Sequence, residues 1–263
     1  MNLSEPVVLL GSVLSDAARE RLLSRRGEPL FYADWERALM IHFEVDAEAL
    51  QRDVPFQLDL RDGRAFVSAV AFRMHGMRPR IGGRLAAWLF RPIATHDFLN
   101  VRTYVRHGGE TGIHFLAEWL SNRIAVRLGP RAFGLPYRFG RIDYEHHWQG
   151  GEVVGNVEDV RTATRFGYRA ELETSVRNRF APCEGGSIEE WLMERYAAFN
   201  CALGRKRFFR VWHPPWQQCR AEVTLSDASL LQRNWHWFRN ARLIGANFSP
   251  GLRNVWMGRA RRC

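Results

Sequence analysis

The fold is indicated most clearly by residues 57–74, which have the sequence QLDLRDGRAFVSAVAFRM. Apolar residues form two runs, 57–60 and 65–74, on either side of a short polar segment that contains Asp62-Gly63. Asp-Gly between two such runs is a strong hairpin signal, because both residues tolerate the positive φ of a tight turn. These residues therefore predict two strands joined by a tight turn.

The surrounding sequence has the same character. Residues 39–45 form a strand-like run, and Asp46 can cap a short helix that ends before Pro55. Further apolar runs predict strands at residues 100–106, 113–120, 158–173, 208–212 and 218–225. Short strands therefore recur along most of the chain.

The remaining segments predict short helices and one long loop. Helical stretches are expected at residues 16–26 and 122–133, and a capping box that begins at Ser187 predicts a third helix through Arg195. Residues 77–92 are rich in glycine, arginine and proline, which is typical of a long loop.

Many strands without regular alternation of strand and helix favour an antiparallel or mixed barrel over a doubly wound sheet. We therefore predict an α+β, β-dominated fold with short peripheral helices. Residues 1–30 are expected to form an N-terminal arm and residues 31–263 a single domain, since the sequence contains no internal repeat and no linker. A chain of 263 residues can bury a substantial core.

The positive charge is concentrated at one end of the chain. The net charge is +10, and Lys206 is the single lysine among 38 basic residues. Residues 1–194 hold 25 basic and 26 acidic residues, whereas residues 195–263 hold 13 basic and 2 acidic ones. Such asymmetry is typical either of a surface that binds nucleic acid or an anionic membrane, or of a solvated arginine-rich face.

Residues 229–248 combine large aromatic side chains with arginines. Leu231, Trp235, Phe238 and Arg242 fall at helical spacing, as in a basic amphipathic helix that lies on an anionic membrane or a partner. The alternative is a segment that packs its aromatic side against the barrel and leaves its arginines in water. No recognised nucleic-acid-binding motif accompanies these residues.

Metal, redox and targeting patterns are absent from the sequence. The four cysteines include no C-x-x-C pair, and the neighbouring residues His146 and His147 would point to opposite faces of a strand. We therefore expect no metal and no cofactor. No run of 18 apolar residues and no signal peptide is present, so a cytoplasmic protein is expected. The sequence leaves the oligomeric state open, a homo-oligomer included.

Two segments offer polar side chains for a site. Period two places Asn100, Arg102 and Tyr104 on one strand face, opposite the neighbouring valines. An arginine beside tyrosine hydroxyls suits a carboxylate ligand, but Arg102 could equally brace the barrel by pairing with an acid such as Glu118.

The second segment is His213-Pro214-Pro215-Trp216. Its prolines hold the flanking imidazole and indole with little freedom, so His213 could act as an acid or base near neutral pH. Alternatively, the segment is a bulge at a strand end, with Trp216 filling the mouth of the barrel. For His42, a core histidine with satisfied hydrogen bonds is favoured.

A succession of short motifs resembles a known family. The motifs are LMIHFEV at 39–45, DLRDGRAFVS at 59–68, NVRTYV at 100–105, GLPY at 134–137, ERY at 194–196, HPPW at 213–216 and SPG at 249–251. In this order and spacing they resemble the YqjF-like family of uncharacterised bacterial proteins, domain of unknown function 2071, over residues 35–260. That family is similar to the acetoacetate decarboxylases, so the resemblance implies a cone-like β-barrel with a small-molecule pocket.

The resemblance also implies which chemistry is missing. Acetoacetate decarboxylases have a Gly-x-Pro-Lys-Lys stretch that supplies the Schiff-base lysine and a second lysine that depresses its pKa. The corresponding residues here are GLPYR, so that Tyr137 and Arg138 occupy the two lysine positions. The glutamate of the decarboxylases would fall near Phe98, with Asp97 beside it. Arginine stays protonated and cannot replace the amine, and Lys206 is expected in an exposed turn, so imine chemistry is not predicted.

The resulting functional prediction is a barrel pocket for a small organic acid or carbonyl compound. By resemblance, the strand that carries Tyr137 lies close to the strand of Arg102. The expected ligand-binding residues are Arg102, Tyr104, Tyr137, Arg138 and Trp216, and His213 is the one candidate acid or base. Whether a reaction follows binding is left open. The alternative is a non-catalytic module that binds an anionic membrane surface or nucleic acid through residues 195–263.

Overall fold

The protein is described from a computed structural model, which covers residues 10–173, 180–202 and 204–263. The described part consists mainly of strands, whose bounds are β1 (Phe31–Val45), β2 (Gln57–Leu58), β3 (Ala65–Pro79), β4 (His96–His107), β5 (Glu110–Leu120), β6 (Tyr137–Glu145), β7 (Glu152–Asp159), β8 (Arg165–Leu172), β9 (Ala197–Ala202), β10 (Arg205–Trp212), β11 (Cys219–Asp227), β12 (Arg242–Met257) and β13 (Arg261–Arg262).

Short helices connect and flank these strands. They are α1 (Leu10–Leu23), α2 (Ala47–Asp53), α3 (Gly83–Ala94), α4 (Arg123–Phe133), α5 (Ile188–Met193) and α6 (Ser229–Asn234), with 3₁₀ turns at Trp148–Gly150 and His236–Asn240. Two of the predicted caps are present. The Asp46 side chain accepts from the Ala49 N–H, and the Ser187 hydroxyl accepts from the Glu190 N–H.

Nine strands close into a ring of hydrogen-bonded neighbours. Their order is β5-β6-β7-β8-β11-β12-β1-β3-β4, and the pairing of β4 with β5 closes the ring. Neighbours in the ring pair antiparallel except β5 and β6, which run parallel because the chain returns through the crossover helix α4. The predicted strand-dominated fold with short helices is confirmed.

Strands β9 and β10, which lie outside the ring, divide the buried interior into two cores. Strand β9 pairs with β5 and strand β10 pairs with β12, so the wall β12-β1-β3-β4-β5 has strands facing both of its sides. Because successive side chains point to opposite faces, Leu39 and Ile41 pack into one buried core while Met40 packs into the other. This second core, between the wall and β9 and β10, holds the candidate site.

The Asp-Gly turn forms as predicted, but the hairpin does not continue. Asp62 and Gly63 both have positive φ, and Arg61 and Arg64 exchange backbone hydrogen bonds. Strand β2 then pairs with β4 instead of β3. Both edges of β3 are already paired, with β1 on one side and β4 on the other, so β3 has no free edge for β2.

The predicted loop at residues 77–92 is wrong, because most of it is helix α3. Gly82 and Gly83 have positive φ and lie at the start of the helix, where glycine is tolerated. Pro92 lies in the last turn, and the leucine- and alanine-rich sequence between the glycines and Pro92 favours a helix. The loop signals therefore marked the ends of a helix.

Part of the predicted arm packs against the strands. Residues 1–9 of the arm lie outside the described residues, and α1 begins earlier than the predicted helix. The Ser15 hydroxyl donates to the backbone oxygen of His213 at 2.7 Å, and the Trp212 indole donates to the backbone oxygen of Ser15 at 3.1 Å. Leu22 is fully buried, so α1 contributes to the core.

Residues 229–248 do not form the amphipathic helix that their composition suggested. They form α6, a 3₁₀ turn and the first part of β12. Trp235, Trp237 and Phe238 are buried in the core, whereas Arg233 and Arg239 are exposed. The second interpretation of this segment, with its aromatic side packed inward, is the observed one. Within the described ranges, no helix is long and apolar enough to span a membrane.

Candidate functional site

A cavity of about 100 Å³ lies between the β1-β3-β4-β5 part of the wall and strands β9 and β10. On the same scale a single water needs about 10–15 Å³, so this space accommodates a small molecule. We call it the first cavity. Its lining is mostly aromatic and aliphatic, with six polar side chains: Asn100, Arg102, Glu118, Tyr137, Arg195 and His213.

Arg102 is buried in this cavity without a carboxylate partner. The residue is 7% exposed, and its guanidinium donates to the backbone oxygen of Leu192 at 3.3 Å and contacts the sulfur of Met40 at 3.8 Å. Its Nε has no hydrogen-bond partner among the described residues. The chain therefore places a positive charge in an apolar space and leaves part of its hydrogen-bonding capacity unused.

The ion pair between Arg102 and Glu118 that would brace the fold does not form. A β-bulge in the pairing of β4 and β5 places Arg102 opposite Phe115, whereas Glu118 lies opposite Asn100. No carboxylate oxygen of the described residues lies within ion-pair distance of Arg102. The register of the two strands separates the two groups.

Glu118 instead belongs to a polar row that crosses three neighbouring strands. Asn100 on β4 lies opposite Glu118 on β5, which in turn lies opposite Tyr137 on β6. Burial raises the pKa of Glu118 well above its ordinary value, which favours the protonated carboxyl. One Glu118 oxygen and the Asn100 side-chain oxygen lack partners among the described residues, and both side chains face the cavity.

Arg195 also lines the cavity, a role that sequence analysis did not assign to it. Its guanidinium is paired with the Asp59 carboxylate at 2.8 Å, and it lies 4.2 Å from the ring centre of Trp191 and 5.1 Å from that of Tyr104. The only sequence signal for this residue is its place in the ERY motif. Since Asp59 offsets the charge of Arg195, Arg102 is the cation of this cavity that lacks a counter-ion.

His213 is buried and neutral. Its Nδ1 donates to the backbone oxygen of Pro214 at 2.8 Å, and its ring stacks on Tyr196 with 4.6 Å between ring centres. Burial, with a smaller effect from the charge of Arg102, lowers the pKa of His213 to about 4. At neutral pH the imidazole is therefore a hydrogen-bonding group of the cavity wall and carries no charge.

Glu194 positions the segment around His213 and Trp216. Its carboxylate accepts from the backbone N–H of Trp216 at 2.8 Å and from the Tyr196 hydroxyl at 2.5 Å. Trp216 is buried and stacks on Trp35, with 5.9 Å between ring centres, at one side of the cavity. Burial raises the pKa of Glu194 to about 7, so the carboxyl group that makes these two hydrogen bonds titrates near neutral pH.

The structure does not bring Tyr104 and Arg138 to the cavity. The Tyr104 hydroxyl forms a 2.5 Å hydrogen bond with Ser68, which also bonds Nδ1 of His42 at 2.7 Å. Arg138 follows Tyr137 directly on β6 and therefore points to the opposite face, where it bonds Asn234 and lies over the ring of Trp119. Sequence spacing alone could have separated Tyr137 from Arg138 once β6 was recognised as a strand.

Lys206 and the neighbouring residues His146 and His147 do not form a second candidate site. Lys206 lies at the start of β10, exposed, with its amine over the ring of Phe56. His146 uses Nδ1 with the backbone oxygen of Arg37 and Nε2 with the hydroxyl of Tyr168, both at 2.8 Å. Lys206 does not line the first cavity, and His146 is a core histidine with both ring nitrogens occupied.

Comparison with known sequences identifies relatives over most of the chain. The family model of DUF2071, described as an uncharacterized conserved protein, matches residues 32–243. The uncharacterized protein YqjF of Bacillus subtilis (strain 168) is 28% identical over 206 residues, which cover 74% of this chain and 78% of YqjF.

Comparison with solved structures identifies the fold. An acetoacetate decarboxylase-like enzyme from Sphingomonas wittichii RW1 matches with a TM-score of 0.58 and 17% identity, over 90% of this chain and 93% of that one. The enduracididine biosynthesis enzyme MppR, complexed with pyruvate, matches at 0.60 and 14%, over 91% and 92%. Acetoacetate decarboxylase from Legionella pneumophila matches at 0.61 and 11%, over 99% and 98%. The chain therefore belongs to the DUF2071 family and has the fold of the acetoacetate decarboxylase-like enzymes.

Proposed function

We propose that the first cavity binds a small organic acid and that Arg102 is the partner of its carboxylate. The proposal depends above all on the burial of Arg102 without a counter-ion. A buried charge is costly unless it is paired and hydrogen-bonded, and a planar guanidinium matches a carboxylate through two parallel hydrogen bonds. A bound carboxylate would supply both the charge and the acceptor that the chain itself leaves out.

The other polar groups suit the remainder of such a ligand. Burial favours the protonated form of Glu118, which donates a hydrogen bond; the Asn100 amide can donate or accept, and neutral His213 adds no charge that competes with the ligand. The surrounding aromatic and aliphatic walls exclude water and thereby strengthen each of these contacts. An oxo or hydroxyl group next to the carboxylate would find hydrogen-bond partners in this polar row.

The fold neighbours agree with this ligand class. MppR has been solved with pyruvate bound, and two further fold neighbours are an acetoacetate decarboxylase-like enzyme and an acetoacetate decarboxylase. This chain differs from the decarboxylase pattern because Tyr137 and Arg138 occupy the expected lysine positions and Lys206 lies outside the cavity. The proposal therefore covers binding of an organic acid and excludes an imine between that acid and the protein.

Calorimetric titration with pyruvate, acetoacetate and acetate tests the proposal, with pyruvamide as the uncharged analogue. We expect the acids to bind and pyruvamide to bind far more weakly. Arg102→Gln should weaken acid binding by about 30-fold or more, because it removes one partner of a buried charge pair. Arg141→Gln is the matched control, since Arg141 is exposed and pairs with Glu158 at the surface. Equal binding of acid and amide, or an unchanged affinity in Arg102→Gln, would overturn the proposal.

A further inference from the structure

A second, larger cavity lies next to the first. It has a volume of about 220 Å³ and lies between helices α3 and α4 on one side and strands β1, β3, β6 and β10 on the other. Its lining is apolar apart from His96 and Tyr137. Burial lowers the pKa of His96 to about 4, so at neutral pH this cavity contains no charged side chain. We call it the second cavity.

The two cavities share part of their walls. The shared lining residues are Met74, Leu135, Tyr137, Phe209 and Met257. Tyr137 stands between the two spaces, and its ring packs directly on Gly129 of α4, where a Cβ would overlap it. Only one layer of side chains therefore lies between the polar row of the first cavity and the apolar space of the second.

The second cavity also reaches the surface through an apolar region. Leu128, which lines it, is 48% exposed. Helix α3 has no buried residue, and it exposes Leu85, Trp88 and Leu89 by 69%, 60% and 62%. Large apolar exposure of this kind commonly marks a binding region, and here it lies on α3, the helix that also lines the second cavity through Phe90 and Ile93.

A hydrocarbon chain that leaves water for this apolar lining gains about 0.8 kcal/mol per methylene group. We infer that the second cavity holds the apolar tail of the ligand: an organic acid whose carboxylate meets Arg102 and whose unbranched chain passes Tyr137 into the second cavity. This inference rests on the proposed function and adds the ligand class, an amphipathic acid with a chain of several carbons.

A series of straight-chain carboxylates, from acetate through butanoate and hexanoate to octanoate, tests the inference by calorimetric titration. Each methylene that leaves water for the second cavity should tighten binding about fourfold. The corresponding amides, which lack the charge, control for non-specific apolar binding at every length. Arg102→Gln should weaken all acids of the series by a similar factor.

Variants that fill the second cavity distinguish the binding of the ligand's apolar chain from the binding of its carboxylate. Ala125→Phe places a ring in the cavity from α4, and Leu128→Trp fills it from its exposed rim, which tolerates a larger side chain. Ile124→Phe is the matched control, because Ile124 lies on the same helix, is 51% exposed and does not line the cavity. The two filling variants should remove the dependence on chain length while acetate and pyruvate still bind.

The outcomes distinguish this inference from the proposed function. Binding that tightens with chain length, and loses that dependence when the second cavity is filled, supports both. Arg102-dependent binding that is independent of chain length, or a length dependence that both filling variants leave intact, overturns the inference alone. If no acid of any length binds, the proposed function and the inference both fail. Should Ala125→Phe not fold, Leu128→Trp provides the same measurement.

Discussion

Glu118 lies opposite Tyr137 in the parallel pairing of β5 and β6, and both side chains line the first cavity. Burial raises the pKa of each group well above its ordinary value, and for Tyr137 the proximity of Glu118 adds to the effect. These shifts favour the uncharged form of both groups. In that form they supply hydrogen bonds beside Arg102 without neutralising its charge, which is the condition that an anionic ligand requires.

Removing the Arg102 charge should not destabilise the ligand-free protein. A buried ion without a counter-ion costs desolvation free energy, so Arg102→Met should leave the free energy of unfolding unchanged or raise it. Arg195→Met should instead destabilise by about 3 kcal/mol, because it strands the Asp59 carboxylate. Urea denaturation of both variants checks this contrast. A loss in Arg102→Met as large as that in Arg195→Met would mean that Arg102 braces the fold.

Glu118→Gln should become more stable relative to the native protein as the pH rises. The folded pKa of Glu118 lies above its unfolded value, so its stabilising contribution is complete below about pH 4.5 and is lost as the pH rises toward the folded pKa. Glutamine does not titrate, so the variant should gain by up to about 1.4 kcal/mol per pH unit over this window. Urea denaturation at pH 5, 6, 7 and 8 measures the difference. A difference that is constant with pH would show that Glu118 is ionised in the folded protein.

His96→Phe should become more stable relative to the native protein as the pH falls. The pKa of His96 is lowered from 6.5 to about 4, so the unfolded chain binds a proton in this window and the folded one does not. The native protein therefore loses about 1.4 kcal/mol per pH unit as the pH falls from 6.5 toward 4, and the variant lacks this loss. Denaturation curves at pH 4.5, 5.5 and 7 test the prediction. His75→Phe is the matched control for the same substitution at a half-exposed position.

Gly129→Ala should destabilise the protein, although alanine normally favours a helix. The new methyl group would overlap the ring of Tyr137, and overpacking of this kind costs about 1–3 kcal/mol. Gly150→Ala, where no atom lies within 4 Å of the new Cβ, should change stability by less than about 0.5 kcal/mol. Thermal melting compares the two variants. A stabilised Gly129→Ala would show that Tyr137 does not rest on α4.

Borohydride reduction in the presence of acetoacetate should yield no covalent adduct. The single lysine of the chain lies outside the first cavity, so a keto acid bound there meets no amine side chain. Intact-mass spectrometry after reduction makes the measurement, with Lys206→Gln as the control for reaction at the surface. An adduct that forms in the native protein and is lost in Arg102→Gln would show that imine chemistry takes place on the bound acid and would contradict the prediction, whereas an adduct that is lost only in Lys206→Gln is reaction at the surface amine.

Local signals in the sequence predicted local structure well. Asp46 and Ser187 cap helices because capping needs only a side chain and an N–H three residues away. Asp62-Gly63 forms its turn for the same reason, although the strand that precedes it pairs elsewhere. At residues 77–92 the same kind of signal misled, because glycine and proline are compatible with helix ends as well as with loops.

The candidate site was predictable in part. Alternation along β4 correctly placed Arg102 on the face opposite Val101 and Val105, and HPPW marked a segment that lies at the first cavity. Alternation also assigned Tyr104 to that face, but its hydroxyl is occupied by Ser68. For Glu118, the sequence predicts only an ion pair with Arg102 that would brace the barrel. Its actual environment depends on the register of β4 against β5, which places it opposite Asn100 and which no local pattern encodes.

By itself, the sequence determined composition and alternation: a single lysine, the absence of lysine at positions 137 and 138, and the division of each strand into two faces. Only the tertiary structure decided which face encloses a cavity. That choice depends on β9 and β10 joining β5 to β12 across long stretches of chain, and on the register that sets Arg102 apart from Glu118. Side-chain direction follows from the backbone period of two residues, whereas enclosure follows from pairing between distant strands, which a period cannot specify.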